Sequence, residues 1–400
     1  MTTFAATLGG TINLNVMVES AQIAQVVHNM LYSKGSRRGV PVVQAVDNND
    51  VRSINCQLVI YSASKTDAIA QIAAINALLR NGTTLALTTM GGTNTVTFNV
   101  MPSPRVQPDF ADPMWENTNA FKVPATFIVE PYAYGPETTI YSGSPTYPAT
   151  VDFTVPGDYK APLSVTMTGT GVHCVYMGLF PDQTVALPLV ETDTPGSWSG
   201  GTEAAGTVSP TYAHGGAYVK TTAGTGSLLV ADTTLPVGSY RMLGRINTSA
   251  ASNSNTYYVG STVLTLTAAG WTLLPFGSMS LPYVAVKSGG ASSFQIGQYA
   301  GGAEAWFDYV GMCPTTWGWA QWAPSSGAQV SNSLLFDYDG RCYDTNVVVS
   351  APTALSDGLM ACGAQRLVVF ADTAVGSGAS GGTISLTTTI KAIPRYALWA

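Results

Sequence analysis

Three short stretches carry the side chains whose types and spacing admit chemistry. "AEAWFDYVGMCP" (303–314) sets Asp308 among aromatics, "TTWGWAQW" groups Trp317, Trp319 and Trp322, and "NTYYVGS" holds Tyr257 and Tyr258. An acid between aromatics has three possible uses. It can move protons, ligate a hard cation such as Ca2+ through oxygen, or sit at a strand edge satisfied by backbone amides. Strand alternation puts Glu304, Trp306, Asp308 and Val310 on one face, with Phe307 and Tyr309 on the other. Backbone satisfaction is the expected role of Asp308, and a structural Ca2+ is the alternative. Catalysis is not expected there: glycoside hydrolysis needs two facing carboxylates, and no motif pairs Asp308 with Glu304 or Asp337.

Aromatic faces stack on pyranose rings, which makes Trp306, Trp317, Trp319, Trp322, Tyr257 and Tyr258 the candidate glycan-binding residues. The i, i+2, i+5 spacing of the tryptophan group departs from strand alternation. Because indoles favour amphipathic seams, these three are expected to anchor one part of the chain on another ahead of lining an open platform.

Other reactive constellations are missing from the sequence. His28, His173 and His214 are scattered, and no Gly-x-Ser-x-Gly elbow occurs. The five cysteines (56, 174, 313, 342, 362) lack CxxC spacing and read as buried free thiols. "ETDTPGSWSGGTEAAG" has no Gly-Lys-Ser ending and reads as a strand connection. No catalytic residue and no cofactor is therefore assigned.

Only 10% of residues are charged, where soluble domains carry about 25%. Hydrophobic residues make up 46%, which excludes disorder and leaves a surface of hydroxyls, amides and small side chains. Such a surface suits a protein covered by copies of itself or one working outside a cell. The net charge is −6, and the densest basic spot, Lys34, Arg37 and Arg38, reads as a solvated Gly/Ser turn. No apolar run reaches the ~18 residues of a membrane span, and "MTTFAATLGGTINLNV" lacks a signal-peptide layout. Synthesis and assembly in a cytoplasm follow as the expectation.

The pattern of elements is mainly β. The first part reads as a β-sandwich with one packed helix: strands around Gly9-Gly10, a helical stripe at Ile23, Val26, Val27, Met30 and Leu31, and a long strand in "VRSINCQLVIYSAS". In "SKTDAIAQIAAINALLRNG", Ser64 and Asp67 have capping-box spacing, Asn81-Gly82 supplies a stop, and Ile69, Ile72, Ile75 and Leu79 form the apolar stripe. From 139 onward short alternating runs recur between turn residues, as in β-sandwiches and jelly rolls.

Two family resemblances complete the reading. Leu235, Pro236, Gly238, Tyr240, Arg245, Trp271, Leu281, Pro282, Asp308, Tyr309 and Pro314 resemble, in order, the second half of a carbohydrate-binding-module jelly roll. The surrounding frame resembles distal or minor tail proteins of siphophages. It has an N-terminal domain ending in Phe127, Val129, Glu130, Pro131 and Tyr132, then "VPGDYKAPLSVTMT" and "SLLFDYDGRCYD", and closes on Pro394, Arg395 and Tyr396.

The resemblance implies a belt domain at 1–136 and a galectin-like β-sandwich at 137–181 and 317–400, with a carbohydrate-binding-like jelly roll inserted at 182–316. It also implies a structural virion protein at the tail tip, in a hexameric ring. That ring would join the tail tube to tip proteins and contact host glycan, without catalysis, membrane insertion or specific nucleic-acid binding. A closed ring needs head-to-tail contacts, and the N-terminal hairpin is the segment expected to extend onto a neighbour. The alternatives are a tail-tube subunit with a C-terminal decoration domain, a polysaccharide-degrading enzyme, and a secreted adhesin.

Overall fold

In the computed structural model, the described residues are 2–18, 52–89, 95–102, 106, 120–191, 198–199, 204–205, 219–221, 227–230, 236, 238–248, 256–259, 262–265, 270–281, 294–300, 305–323, 331–338, 341–344, 347–348, 359–360, 362–373 and 384–396. The helical stripe expected between 19 and 35 lies outside them. The chain is mainly β, as its alternation predicts, and forms two compact units. Unit 1 comprises Met1–Glu137, Gly157–Tyr159 and Ile393–Ala400; unit 2 comprises Thr138–Pro156 and Lys160–Ala392.

Unit 1 is built on one eight-stranded sheet. From Thr95–Val100 the hydrogen-bonded order runs through Thr83–Thr89, Thr2–Leu8, Ile12–Val18 and Arg52–Tyr61 to Ala120–Val129. The two ends of that path meet again where Val100 pairs with Val129. Met101 N–H donates to Ile128 O at 2.8 Å and Glu130 N–H donates to Asn99 O at 3.0 Å across the same seam. Six antiparallel strands thus close on themselves, which leaves few unpaired edges. Alternate residues Val96, Phe98 and Val100, and Val123, Ala125, Phe127 and Val129, point into one shared core.

The N-terminal hairpin occupies the middle of this path. Thr2–Leu8 pairs with Ile12–Val18 on one side and Thr83–Thr89 on the other, and Ile12–Val18 also pairs with Arg52–Tyr61. The hairpin expected to extend onto a neighbour is thus paired on both sides within unit 1, over Phe4–Leu8 on one strand and Asn15–Met17 on the other.

The helix Lys65–Asn81 begins and ends where its caps predict. Ser64 is the N-cap, its Oγ accepting from Asp67 N at 3.2 Å, and Gly82 follows the last turn at φ 80°. Ala68, Ile72, Ile75 and Leu79 are buried in the barrel core. Ile69, expected in the stripe, is instead 46% exposed, and Ala68 takes the inward place one position earlier. Asn76 clamps the helix to residue 106: its Nδ2 donates to Val106 O at 3.1 Å and its Oδ1 accepts from Val106 N at 2.8 Å.

Unit 2 is organised by a 20-residue strand, Ala161–Phe180. Its first half pairs with Thr387–Ala392 and Ser331–Phe336. A register shift between Thr168 and Val172, with Gly171 at φ 67°, turns the strand. Its second half then pairs with Gly363–Thr373 and Trp319–Trp322. One strand thereby serves both walls of a core that includes Val151, Val165, Met177, Trp322, Phe336, Val369 and Ile390.

Residues between 181 and 316 supply two further sheets. One joins Ala204–Ala205, Val219–Thr221, Ala305–Pro314, Gly238–Thr248 and Gly270–Leu281, with Leu189–Glu191 on Ala305–Pro314. The other joins Trp198–Ser199, Ser227–Val230, Phe294–Ala300, Thr256–Val259 and Thr262–Thr265.

Candidate functional site

The second half of the long strand is buried on both faces. Val175, Met177 and Leu179 enter the unit 2 core, while Cys174, Tyr176 and Phe180 face the opposite way and are buried as well. On the neighbouring strand Leu367, Val369 and Ala371 point into the core, with Val368, Phe370 and Asp372 on the second face. What covers that second face is the pair Gly238–Thr248 and Ala305–Pro314. Tyr309 lies 6.2 Å from Phe370, and Tyr240 lies 6.2 Å from Phe180, ring centre to ring centre.

Two glycines set how closely these layers approach. A Cβ on Gly311 would meet Phe370 Cε1 at 2.2 Å, and one on Gly178 would meet Pro314 O at 2.0 Å. At Gly178 the obstacle is backbone, so a side chain there would force the layers apart, whereas at Gly311 it is the Phe370 ring, which would have to shift.

A charged pair is sealed in the same seam. Arg245 Nε donates to Asp372 Oδ2 at 3.3 Å, with the two side chains 6% and 2% exposed. Burial, reinforced by the Asp372 charge, holds the Cys174 thiol well above its usual range. Burial raises the Cys313 thiol and the Tyr176 hydroxyl strongly too. A thiol so raised supplies no thiolate near neutral pH, so neither cysteine has the character of a nucleophile.

Both connections to this covering layer are held by hydrogen bonds along the seam. On the way out, Gln183 Nε2 donates to Phe153 O at 2.9 Å and to Gln365 O at 3.0 Å. Arg366 holds Asp152 in a fork, Nε to Oδ1 at 2.6 Å and Nη2 to Oδ2 at 2.8 Å, and reaches Val185 O with Nη1. On the way back, Thr315 N–H donates to Ser239 O at 2.8 Å, Ser239 N–H to Thr316 Oγ1 at 2.6 Å, and Leu179 N–H to Gly318 O at 3.0 Å.

The tryptophan group lies along this seam, each indole differently engaged. Trp322 is 2% exposed and belongs to the unit 2 core, so in this conformation it offers no face to a sugar. Trp317 is half-buried, 5.5 Å from Phe180 and 6.5 Å edge-on from Tyr240. Trp319, also half-buried, carries the Arg241 guanidinium 5.4 Å from its ring centre. The strand pattern explains the division: Ala320 and Trp322 point inward, Trp319 and Gln321 outward.

Tyr257 and Tyr258 stand in the five-stranded sheet, on Thr256–Val259, paired with Leu264 and Val263. Trp306 pairs across the sheet with Lys220 and Asn247. The side chains of these three lie outside the described residues, as does that of Asp308.

The backbone at Asp308 does correct the face assignment. Arg245 pairs with Tyr309 and Ile246 with Phe307, so Asp308 is the extra residue of a β-bulge. The flanking strands part at the same point, Glu191 opposite Tyr309 and Val219 opposite Phe307. A bulge interrupts the two-residue period, so the pairing does not run in unbroken alternation from Trp306 to Val310. Among the described residues no group of three or more His, Cys, Asp or Glu is placed to hold a metal.

Sequence reasoning missed the Arg245–Asp372 pair and the two contact glycines. Arg245 entered only as part of a resemblance, and its partner lies 127 positions away.

No family model matches the chain, and no curated protein matches it. Among solved structures, the chain is similar to the SPP1 Dit (gp 19.1) protein, described as a paradigm of the hub adsorption apparatus in phages infecting Gram-positive hosts. The identity is 12% over 76% of this chain and 98% of that one, with a TM-score of 0.30. It is also similar to a Paenibacillus xanthan lyase, at 10% identity over 66% of this chain and a TM-score of 0.24, and spans 35% of the lyase. At these scores and identities neither likeness establishes a shared fold.

Proposed function

We propose that the chain is a structural protein of a siphophage tail tip, and that unit 1 meets other copies of itself to form a ring. The observation that carries this reading is the outer face of the helix Lys65–Asn81. Between Asp67 and Arg80 the helix has no charged residue, and Ile69, Ala70, Ala73, Ala74 and Ala77 are all exposed. An isolated soluble domain places charge on such a face. A low overall charge and a sheet closed at Val100–Val129 fit packing against copies through side chains. The motifs that resemble siphophage tail proteins supply the setting.

In this reading the layer between 181 and 316 is a firmly mounted outer module and the protein performs no catalysis. Adhesion to host glycan would use Trp306, Trp319, Tyr257 or Tyr258, since Trp322 is in the core and Trp317 is wedged between Phe180 and Tyr240. Negative-stain images of the purified chain test the proposal: closed rings support it, and isolated single particles contradict it. A glycan array probed with the intact chain tests adhesion separately. Binding lost on replacing Tyr257, Tyr258, Trp306 or Trp319 supports it, and silence on the array removes adhesion while leaving the ring.

A further inference from the structure

Unit 1 is assembled from segments far apart in sequence, and its last strand arrives from beyond unit 2. Arg395–Tyr396 pairs with Ala133–Tyr134, which in turn pairs with Thr95–Val100 through Tyr134 and Thr97. Ala133–Tyr134 directly continues the seam at which the barrel closes, Val100 on Val129 and Asn99 O on Glu130 N. The late strand therefore lies beside the seam.

Its hold has an unusual composition. Among the described residues two cross-strand pairs join it to Ala133–Tyr134, against seven between Thr2–Leu8 and Ile12–Val18, and Arg395 also bridges to Gly157 and Tyr159. The rest of the grip comes from Arg395. Its guanidinium lies 5.4 Å from the Tyr132 ring centre and 5.2 Å from that of Tyr134. Tyr132 is backed by Tyr159, stacked at 4.2 Å. The Arg395 carbonyl accepts from Asp158 N at 3.0 Å and Tyr159 N at 3.3 Å. Gly157, at φ 104°, makes room for this, because a Cβ there would stand 2.4 Å from Arg395 O. Pro394 O accepts from Gly135 N at 2.8 Å. Arg395 Nε itself is buried with no hydrogen-bond partner.

We infer that residues 394–396 are a releasable clasp over the barrel seam, fastened by the Arg395 cation between Tyr132 and Tyr134. Its strand pairing spans two residues among those described, and one buried donor, Arg395 Nε, goes unanswered, so the fastening depends on the Arg395 side chain and carbonyl. Lifting it bares the outer edge of Ala133–Tyr134, the strand that covers Thr97 of Thr95–Val100. The clasp stands whether or not unit 1 forms rings.

Amide hydrogen exchange on the intact chain tests it, with Arg395→Ala, Arg395→Lys and Gly157→Val beside the native protein. Exchange within 97–100 and 132–134 should quicken at least tenfold in Arg395→Ala and Gly157→Val, while amides of 367–370 in unit 2 keep the native rate. Arg395→Lys should also lose protection, because an ammonium cannot lie flat between two rings. Unchanged exchange at the seam overturns the inference, as does an equal rise at 367–370, which would report general loss of stability. Native protection in Arg395→Lys overturns the ring-clamped fastening. None of these outcomes depends on the mass of the particle.

Discussion

Arg245 and Asp372, 127 positions apart, form a buried pair with Nε and Oδ2 3.3 Å apart, and they join the outer layer of unit 2 to the strand beneath it. A buried pair adds little net stability over apolar residues of the same size, but removing one partner strands a charge. Asp372→Ala should therefore destabilise unit 2 by about 3–5 kcal/mol. Arg245→Met combined with Asp372→Leu should recover most of that loss. Urea unfolding of the native chain and these two variants checks it, and a double variant as damaged as the single would show that the pair contributes more than a matched charge.

The two contact glycines should behave differently from each other. Gly311→Ala presses a methyl on the Phe370 ring, which can shift, at about 1–3 kcal/mol. Gly178→Ala presses on the Pro314 carbonyl, which is backbone and cannot yield alone, and should cost more. The order of thermal midpoints decides: native, then Gly311→Ala, then Gly178→Ala.

The tryptophans separate by burial. Trp322→Ala empties a core position and should cost about 3–5 kcal/mol. Trp319→Ala loses chiefly its contact with Arg241, about 0.5–1 kcal/mol. Equal effects in equilibrium unfolding would contradict the placement of Trp322 inside and Trp319 outside.

Alkaline pH gives a signed test. Burial and, secondarily, the hydrogen bond to Glu130 push Tyr134 up to about 12, and burial pushes Tyr147 up to about 12. The native state keeps these protons when the unfolded chain, titrating near 10, has lost them. Their contribution is full below pH ~10 and is lost as pH rises toward 12. Ultraviolet titration should show a late tyrosinate component that shrinks in Tyr134→Phe and in Tyr147→Phe. A native titration finished near pH ~10 would contradict the burial of both hydroxyls.

Some of this architecture was legible in the sequence for local reasons. Ser64, Asp67 and Gly82 sit next to the backbone groups they satisfy, so the helix ends followed from spacing. Its inward face was read one position off, with Ile69 for Ala68, because an alanine beside an isoleucine gives a weak signal of which one the core takes. The hairpin at Gly9-Gly10 was visible, but its central place was not, since that depends on Thr83–Thr89 and Arg52–Tyr61 reaching it from elsewhere. The bulge at Asp308 has no residue signature, and alternation carried straight through it assigned the wrong period. In the candidate site, Trp317, Trp319 and Trp322 were found by type. What each one touches was fixed by Phe180, Tyr240 and Arg241, which no spacing connects to them.

The central claim is that the uncharged outer face of the unit 1 helix is covered by another copy. Sedimentation equilibrium on the native chain and on Ile69→Glu tests it most directly. The account predicts that the native chain sediments as a closed multiple of its single-chain mass, and that a carboxylate at position 69 returns it to a single chain without unfolding it. A native protein that remains a single chain at high concentration, or a multimer indifferent to Ile69→Glu, would contradict it.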